Sequence, residues 1–575
     1  MRSIPTPVRG SLVLLALLAL ACAPSGEPPA GDAAGSGSAE GAPPPDEVLA
    51  AAEAITAEEL RRHIAELADD SYGGRGPGSE GDRMTQHYLI QEMQTLGFEP
   101  GGPDGSWLQP FEMVGITSTA PESWSFTAGG DSVGLAWWDE YIAFAGAQEP
   151  ETSIDGAELV FVGYGIEAPE YGWNDFEGAD VAGKVLVILN NDPDWDDELF
   201  AGKRRLLYGR WTYKYEKAAE AGAVGAIIIH TTPSAGYPYQ VVQTSWTGEQ
   251  FEIPAGEEPR TRVNAWVTEE AARELFALGG HDLDTLRESA RSAEFRAVPL
   301  GVTTSLTLTN EMRRVETANV LGLLRGSDPE LADEHVVYSA HHDHLGISKP
   351  NAAGDAIYNG ALDNASGVAQ VLAIAKAMAA LPEPPRRSIL LAFVGAEEQG
   401  LLGSDYFANH PTVPPGKMAA NINYDGGNIW GATRDVTYIG YGKSSLDRVV
   451  ERYAGYQGRV VEPDQFPDKG YFYRSDQFHF ARVGVPAIYL DTGTDFVGRP
   501  EGWGREQVEQ WTEVHYHQPS DELVDDWSFD GMVADARLGL YMGCEIADAD
   551  EMPSWNPGDE FEAARLAALA EAAGE

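Results

Sequence analysis

Cysteine is nearly absent: Cys22 and Cys544 are the 2 in 575 residues, so no disulfide framework can carry the fold. Cys544 falls in an apolar helical pattern near the carboxyl end and reads as a small core residue. Basic residues are scarce as well. Lys and Arg number 39 against 90 Asp and Glu, a formal net charge of −51. No basic stripe offsets that charge, which argues against a nucleic-acid partner. The acidity speaks for solubility more than for any substrate. Long apolar runs are missing too. SLVLLALLALA, at residues 11–21, is too short for an ordinary membrane span.

That run is the first positive feature. Arg2 and Arg9 precede it, so residues 1–21 read as an export signal. It ends in LALAC, which resembles a lipoprotein processing site with Cys22 as the lipid-bearing residue. Residues 22–50, rich in Gly, Pro, Ser and Ala, would form a disordered tether. The expectation is an exported protein held on a bacterial envelope membrane through Cys22, or else a secreted or periplasmic one.

The rest of the chain is organised around residues 335–425. HVVYSAHHDHLG, YNGALDNASGVAQVLAIAKAMA, SILLAFVGAEEQGLLGSDYF and MAANINYDGGN follow one another there. VVYSA, SILLAFVG and AANINY are short apolar runs of the kind that form strands buried on both faces. A helical pattern, SGVAQVLAIAKAMAAL, separates the first two. Strand–helix–strand order implies parallel strands with right-handed crossovers. Ligands of such sheets bind beyond the carboxyl ends of the strands. His341, Glu397, Glu398 and Asp425 all fall at such ends, Asp363 opens the helix, and His517 lies downstream in VHYHQPSDE.

The residue types select the chemistry. Imidazole and carboxylate suit zinc, with other first-row metals possible. Two histidines, two carboxylates and a bridging carboxylate can hold a pair of ions roughly 3.5–4 Å apart. One of Glu397 and Glu398 could bind metal while the other stays free as a general base. Taken singly, a His-x-Asp is ordinarily structural and paired glutamates at a helix start are ordinarily solvated. Five such positions in order at strand ends are not explained that way. His342 and His344 read as structural or surface residues.

These segments resemble the co-catalytic di-zinc exopeptidases of the aminopeptidase and glutamate-carboxypeptidase type. SAHHDHLG, GALDNASG, EEQGLLGS, NYDGG, RSDQF and YHQPSD stand in the family's order. The resemblance implies an α/β fold, a mostly parallel mixed sheet flanked by helices. It implies two Zn2+ per chain, with Asp363 bridging, His341 and Asp425 completing one position, and Glu398 and His517 the other. Glu397 would be the base acting on a water that bridges the metals, and Tyr516 would steady the oxyanion. Asp343 would orient His341, Ser475 would partner His517, and the Asp363–Asn364 peptide is a candidate for the cis form. Peptides would be the substrates, with removal of the amino-terminal residue favoured. A carboxypeptidase would want arginines in the pocket, for which Arg474 is the candidate. A single-zinc cyclase relative would not need all five ligands, and a receptor-like relative would have lost some.

Domain organisation follows. Residues 51–120 open the peptidase-like domain: Thr56 and Glu59 form a capping box, GGRGPGSEG a loop, and SEGDRMTQHYLIQEMQTLG a helix. Residues 121–300 resemble a protease-associated insert, strand-rich α+β, through GYGIEAPEYGWNDFEGADVAGKVLVIL and AAEAGAVGAIII. No catalytic residue is expected in it. DPDWDDE at 192–198 lacks the glycine and glutamate of an EF-hand and reads as a solvated acidic loop. Residues 301–560 form the main domain, and 561–575 a charged, alanine-rich tail.

Overall fold

The computed structural model describes residues 41–196, 199–348, 350–351 and 353–574. The export signal, Cys22 and most of the expected tether lie outside the described residues. The end of that tether is a helix, Asp46–Ala52. Val48, Ala51 and Ala52 recur at helical spacing and are buried against the core, which overrides the Pro- and Ala-rich composition around them. No described helix is long and apolar enough to cross a membrane.

The expected strands are present. The chain supplies β1 (Leu108–Thr119), β2 (Glu151–Phe161), β3 (Val185–Leu189), β4 (Gly225–His230), β5 (Val263–Thr268) and β6 (Val298–Leu324). It then supplies β7 (His335–His341), β8 (Ser388–Val394), β9 (Met418–Asn423), β10 (Asp435–Ile439), β11 (Val460–Pro463) and β12 (Ala487–Asp491). In the carboxyl-terminal half the spatial order is β1–β6–β8–β7–β9–β12–β10–β11. The pairs β8–β7, β7–β9, β9–β12 and β10–β11 are parallel. The inserted region builds on β6 through β2, β3, β4 and β5, parallel from β2 to β5. β6 is 27 residues long; its first part pairs with the insert and its last part with β8. Antiparallel β1 and β6 therefore form the ribbon by which the chain enters and leaves the insert.

Every residue of β7, β8 and β9 is buried, as their continuous apolar sequence requires. Helix α1 (Ala57–Leu67) is capped by the Thr56 side chain, which accepts from Glu59 N. α2 (Glu80–Thr95) is capped likewise by Ser79. α3 (Ser366–Ala379) is apolar on nearly every side and is buried along almost its whole length, packed against α1 and against α4 (Asp530–Asp548). Two glycines of α4 let it press on the sheet: a Cβ on Gly543 would lie 1.7 Å from the Tyr338 hydroxyl, and one on Gly539 1.8 Å from that of Tyr424. The tail also docks. Glu562–Ala573 is helical, and buried Arg565 donates to the Met418 carbonyl at 2.9 Å.

Candidate metal centre

Parallel strands deliver their carboxyl ends to one edge, and the polar residues collect there. His341 is the last residue of β7. Its Nε2 lies 3.1 Å from Asp425 Oδ1, 3.3 Å from Asp363 Oδ1 and 4.0 Å from Glu397 Oε2. Asp363 Oδ2 lies 3.3 Å from His517 Nε2, which is 3.1 Å from Glu398 Oε2. Asp363 thus faces both histidines, one through each oxygen. The five residues expected to hold metal are brought together.

Local structure explains how. After β8 the chain turns at Ala396, whose φ is +59°. The buried Asp343 carboxylate then accepts the backbone N–H groups of Glu397 (3.1 Å) and Glu398 (3.4 Å). Asp521 fixes the other side by accepting from Leu362 N (2.9 Å) and Asp363 N (3.0 Å). The Asp363–Asn364 peptide is cis. Asn364 Oδ1 accepts from Gly426 N at 2.9 Å, and its Nδ2 donates to the Tyr424 carbonyl at 3.0 Å. This ties the start of α3 to the loop bearing Asp425.

Two expected supporting roles change. Asp343 does not orient His341 through its carboxylate, which stands 3.8 Å from Nδ1; its backbone carbonyl is nearer, at 3.3 Å. The carboxylate is engaged by the glutamate turn instead. Ser475 does not touch His517. Its hydroxyl accepts from Nδ2 of Asn423, the last residue of β9, at 2.8 Å. Tyr516 does reach the site: its ring stacks on His517 with centroids 3.8 Å apart. No described residue accepts from its hydroxyl, which leaves that donor available.

Electrostatics sort the carboxylates. Burial, reinforced by Asp425 and Glu398, holds Glu397 well above the usual glutamate range despite His341 beside it. Burial also opposes the charge of Glu398, but His517 and His344 outweigh it and keep the group down at about 2. Asp363 is held well below the usual range: burial is overcome by hydrogen bonds from His341 and His517. His341 and His517 are both raised well above an ordinary histidine; burial opposes this, and the surrounding carboxylates prevail.

The donor set fits zinc. A tetrahedral zinc ion with bonds of about 2.0–2.1 Å sets its donors about 3.3 Å apart, and the spacings here are 3.1–3.3 Å. His341, Asp363 and Asp425 offer donor atoms all within 4.8 Å of one another, as do His344, Asp363 and Glu398. His344 was not expected at the site. HHDH offers three histidines in four positions, and only the turn after β7 decides which of them face inward. His342 faces away, 3.1 Å from Asp82 of α2.

Residues 319–539 match the sequence profile of Peptidase family M28, and residues 156–265 that of the PA domain. Over those two segments the chain is similar to an M28 peptidase domain and to a PA domain. The leupeptin-inactivating enzyme 1 of Streptomyces exfoliatus is 28% identical over 166 residues, covering 28% of this chain and 36% of that one. Aminopeptidase NAALADL1 of Rattus norvegicus is 33% identical over 114 residues, covering 19% of this chain and 13% of that one. The chain thus spans 36% and 13% of the length of these two curated relatives. An aminopeptidase structure from Aneurinibacillus sp. strain AM-1 aligns over 87% of this chain and 96% of its own, at 19% identity and a TM-score of 0.49. Every residue of the candidate metal centre falls within the M28 domain.

Proposed function

We propose that the chain is a zinc-dependent aminopeptidase that removes amino-terminal residues from peptides, with two zinc ions held by His341, Asp363, Glu398, Asp425 and His517. The observation that carries this is the shared Asp363 carboxylate, with one oxygen toward His341 and the other toward His517, beside a Glu397 carboxylate that no described group hydrogen-bonds. Zinc held there would supply Lewis acidity to the substrate carbonyl and to water. Glu397 takes the proton of the attacking water and passes it to the leaving amine. The Tyr516 hydroxyl, steadied by the stack on His517, donates to the oxyanion that forms.

A second reading has its own observation. Arg474 lies near enough to Tyr516 and Glu397 to feel their charge, its guanidinium 5.2 Å from the Tyr471 ring. Arg210, from the PA domain, is pushed down to about 9 by burial, with Arg474 and Arg205 adding to the effect. Neither Arg474 nor Arg210 forms an ion pair among the described residues. Cations left unpaired in a chain of net charge −51 suit a carboxypeptidase that grips a terminal carboxylate. Hydrolysis of one short peptide, free and acetylated at its amino terminus, separates the two. Cleavage of the free form alone supports the aminopeptidase. Cleavage of both, with release of the carboxyl-terminal residue, supports the carboxypeptidase.

Export and lipid attachment at Cys22 are part of the same proposal, supported by the sequence of residues 1–22. Cys22→Ala should move the protein from the membrane fraction to the soluble one.

A further inference from the structure

His344 is not one of the five proposed ligands, yet it is fully buried beside them. Its Nδ1 lies 2.5 Å from Glu398 Oε1, while Glu398 Oε2 faces His517 Nε2 at 3.1 Å. The two oxygens of one carboxylate are therefore divided between two histidines. Nε2 of His344 has no hydrogen-bond partner. A neutral ring carries one proton, and only on Nδ1 does that proton have an acceptor.

The ring is braced from behind. A Cβ on Gly360 would lie 2.6 Å from His344 Cγ and 2.3 Å from the Asp363 carbonyl oxygen, and Gly360 has a φ of +57°. Only glycine fits there. The Gly360 carbonyl accepts from Arg75 Nη2 at 2.9 Å. Arg75 donates as well to the carbonyls of Asn359 (2.6 Å), Leu67 (2.7 Å) and His342 (3.0 Å). Its own carbonyl accepts from His344 N at 3.3 Å. Arg75 is 1% exposed and forms no ion pair among the described residues. It joins the segment that carries His344 to the segment that carries Asp363.

We propose that His344 is a positioning residue for Glu398, braced by Gly360 and Arg75, and that it sets the zinc affinity of the Glu398–His517 position without affecting the His341–Asp425 position. This rests on the two-zinc assignment above. The hydrogen bonds of His341 run to Asp343, Asp363 and Asp425, and none of them involves His344. A hydrogen bond that aims a carboxylate ligand is the kind of support whose loss costs roughly 10–100-fold in metal affinity.

Zinc titration of the full chain against a chromophoric chelator tests this with three proteins. The wild type should take up two ions. His344→Phe keeps the ring volume but has no donor; one ion should bind about 10–100-fold more weakly and the other unchanged. His344→Asn places an amide N–H where Nδ1–H stood and should restore most of the loss. The cobalt(II) spectrum of fully loaded His344→Phe should match wild type, because His344 is not a ligand. Equal weakening of both ions, no weakening, failure of Asn to restore binding, or a changed cobalt spectrum each overturns the proposal. A wild type that binds fewer than two ions overturns the two-zinc assignment, and this proposal with it.

Discussion

In the PA domain a buried lysine sits among buried carboxylates, whereas at the strand ends of the M28 domain buried carboxylates crowd together with few fixed cations. Lys214 is fully buried and donates to the Tyr164 carbonyl at 2.6 Å. Burial pushes it down to about 7, and Asp192 and Asp175 work against that shift. Both aspartates take backbone or indole donors: Asp192 from Leu206 N, Asp175 from Ile166 N and Trp173 Nε1. That cluster is completed by the protein itself. Asp343, Asp363, Glu397, Glu398, Asp425 and Asp521 have Arg75 as a fixed cation that feels several of them at once, Arg474 near Glu397, and imidazoles as their nearer cationic partners. Buried negative charge in such excess needs cations from outside. Both regions bury ionisable groups, so burial alone does not mark the functional one; the charge balance does.

The largest effect expected from breaking this comparison is at Glu397. Glu397→Ala removes a carboxylate that binds no metal in the proposed scheme. It should lower kcat by about 10²–10⁴-fold and keep both zinc ions by elemental analysis. Full activity would remove the assignment of the base. Next come the ligands: His341→Ala and His517→Ala should each lose at least one zinc ion. Unchanged metal content in either would show that the pooled charge serves something else.

Much of this contrast is legible in the sequence. VVYSA, SILLAFVG and AANINY could only be buried strands, so their carboxyl-end residues had to converge. Asp363 and His517 came with their motifs. Arg75 and His344 were hidden for a physical reason. Arg75 stands in GGRGPGSEG, a loop by composition, and its partner His342 is 267 residues away. No local pattern encodes that contact. Ser475 shows the reverse error, in which a motif position was given a partner that tertiary packing assigns elsewhere. The length of β6 has no local signal either: its polar middle, TNEMRRVE, has no apolar run to mark it, yet it is the ribbon paired with β1.

A milder perturbation uses protons. In the metal-free protein His341 and His517 are raised above their unfolded value of about 6.5, so their contribution to stability is full below that pH. It is lost as pH rises through their folded values. Asp363 and Glu398 are lowered, so theirs is present above about pH 4.5 and lost as pH falls through the folded values. In the proposed scheme zinc would take the place of the imidazole protons. Its stabilisation, about 2.7 kcal/mol at one hundred times Kd, should therefore grow as pH is raised above about 6.5. Thermal unfolding with and without zinc at several pH values measures this. A zinc-induced change in Tm that is flat with pH would exclude the two histidines as ligands.

The smallest effect should come from the other side of the comparison. Lys214→Met removes the buried amine of the PA domain. It forfeits one hydrogen bond to Tyr164, worth about 1 kcal/mol, and relieves the burial of an ammonium group. The two oppose each other, so the net change in stability should stay within about 1–2 kcal/mol. The balance depends on pH. The folded value of Lys214 is about 7, below the ordinary lysine value of 10.5, so the wild type bears the cost of burying that charge at and below neutrality. The cost fades as pH rises toward 10.5. The variant should therefore compare best with wild type at pH 7 and lose ground at pH 9, as urea unfolding midpoints would show. Zinc content and kcat should not move, since the cluster closes on itself. If Lys214→Met did release zinc or slow turnover, the insert's buried charge would belong to the active site after all, and the two regions could no longer be read separately.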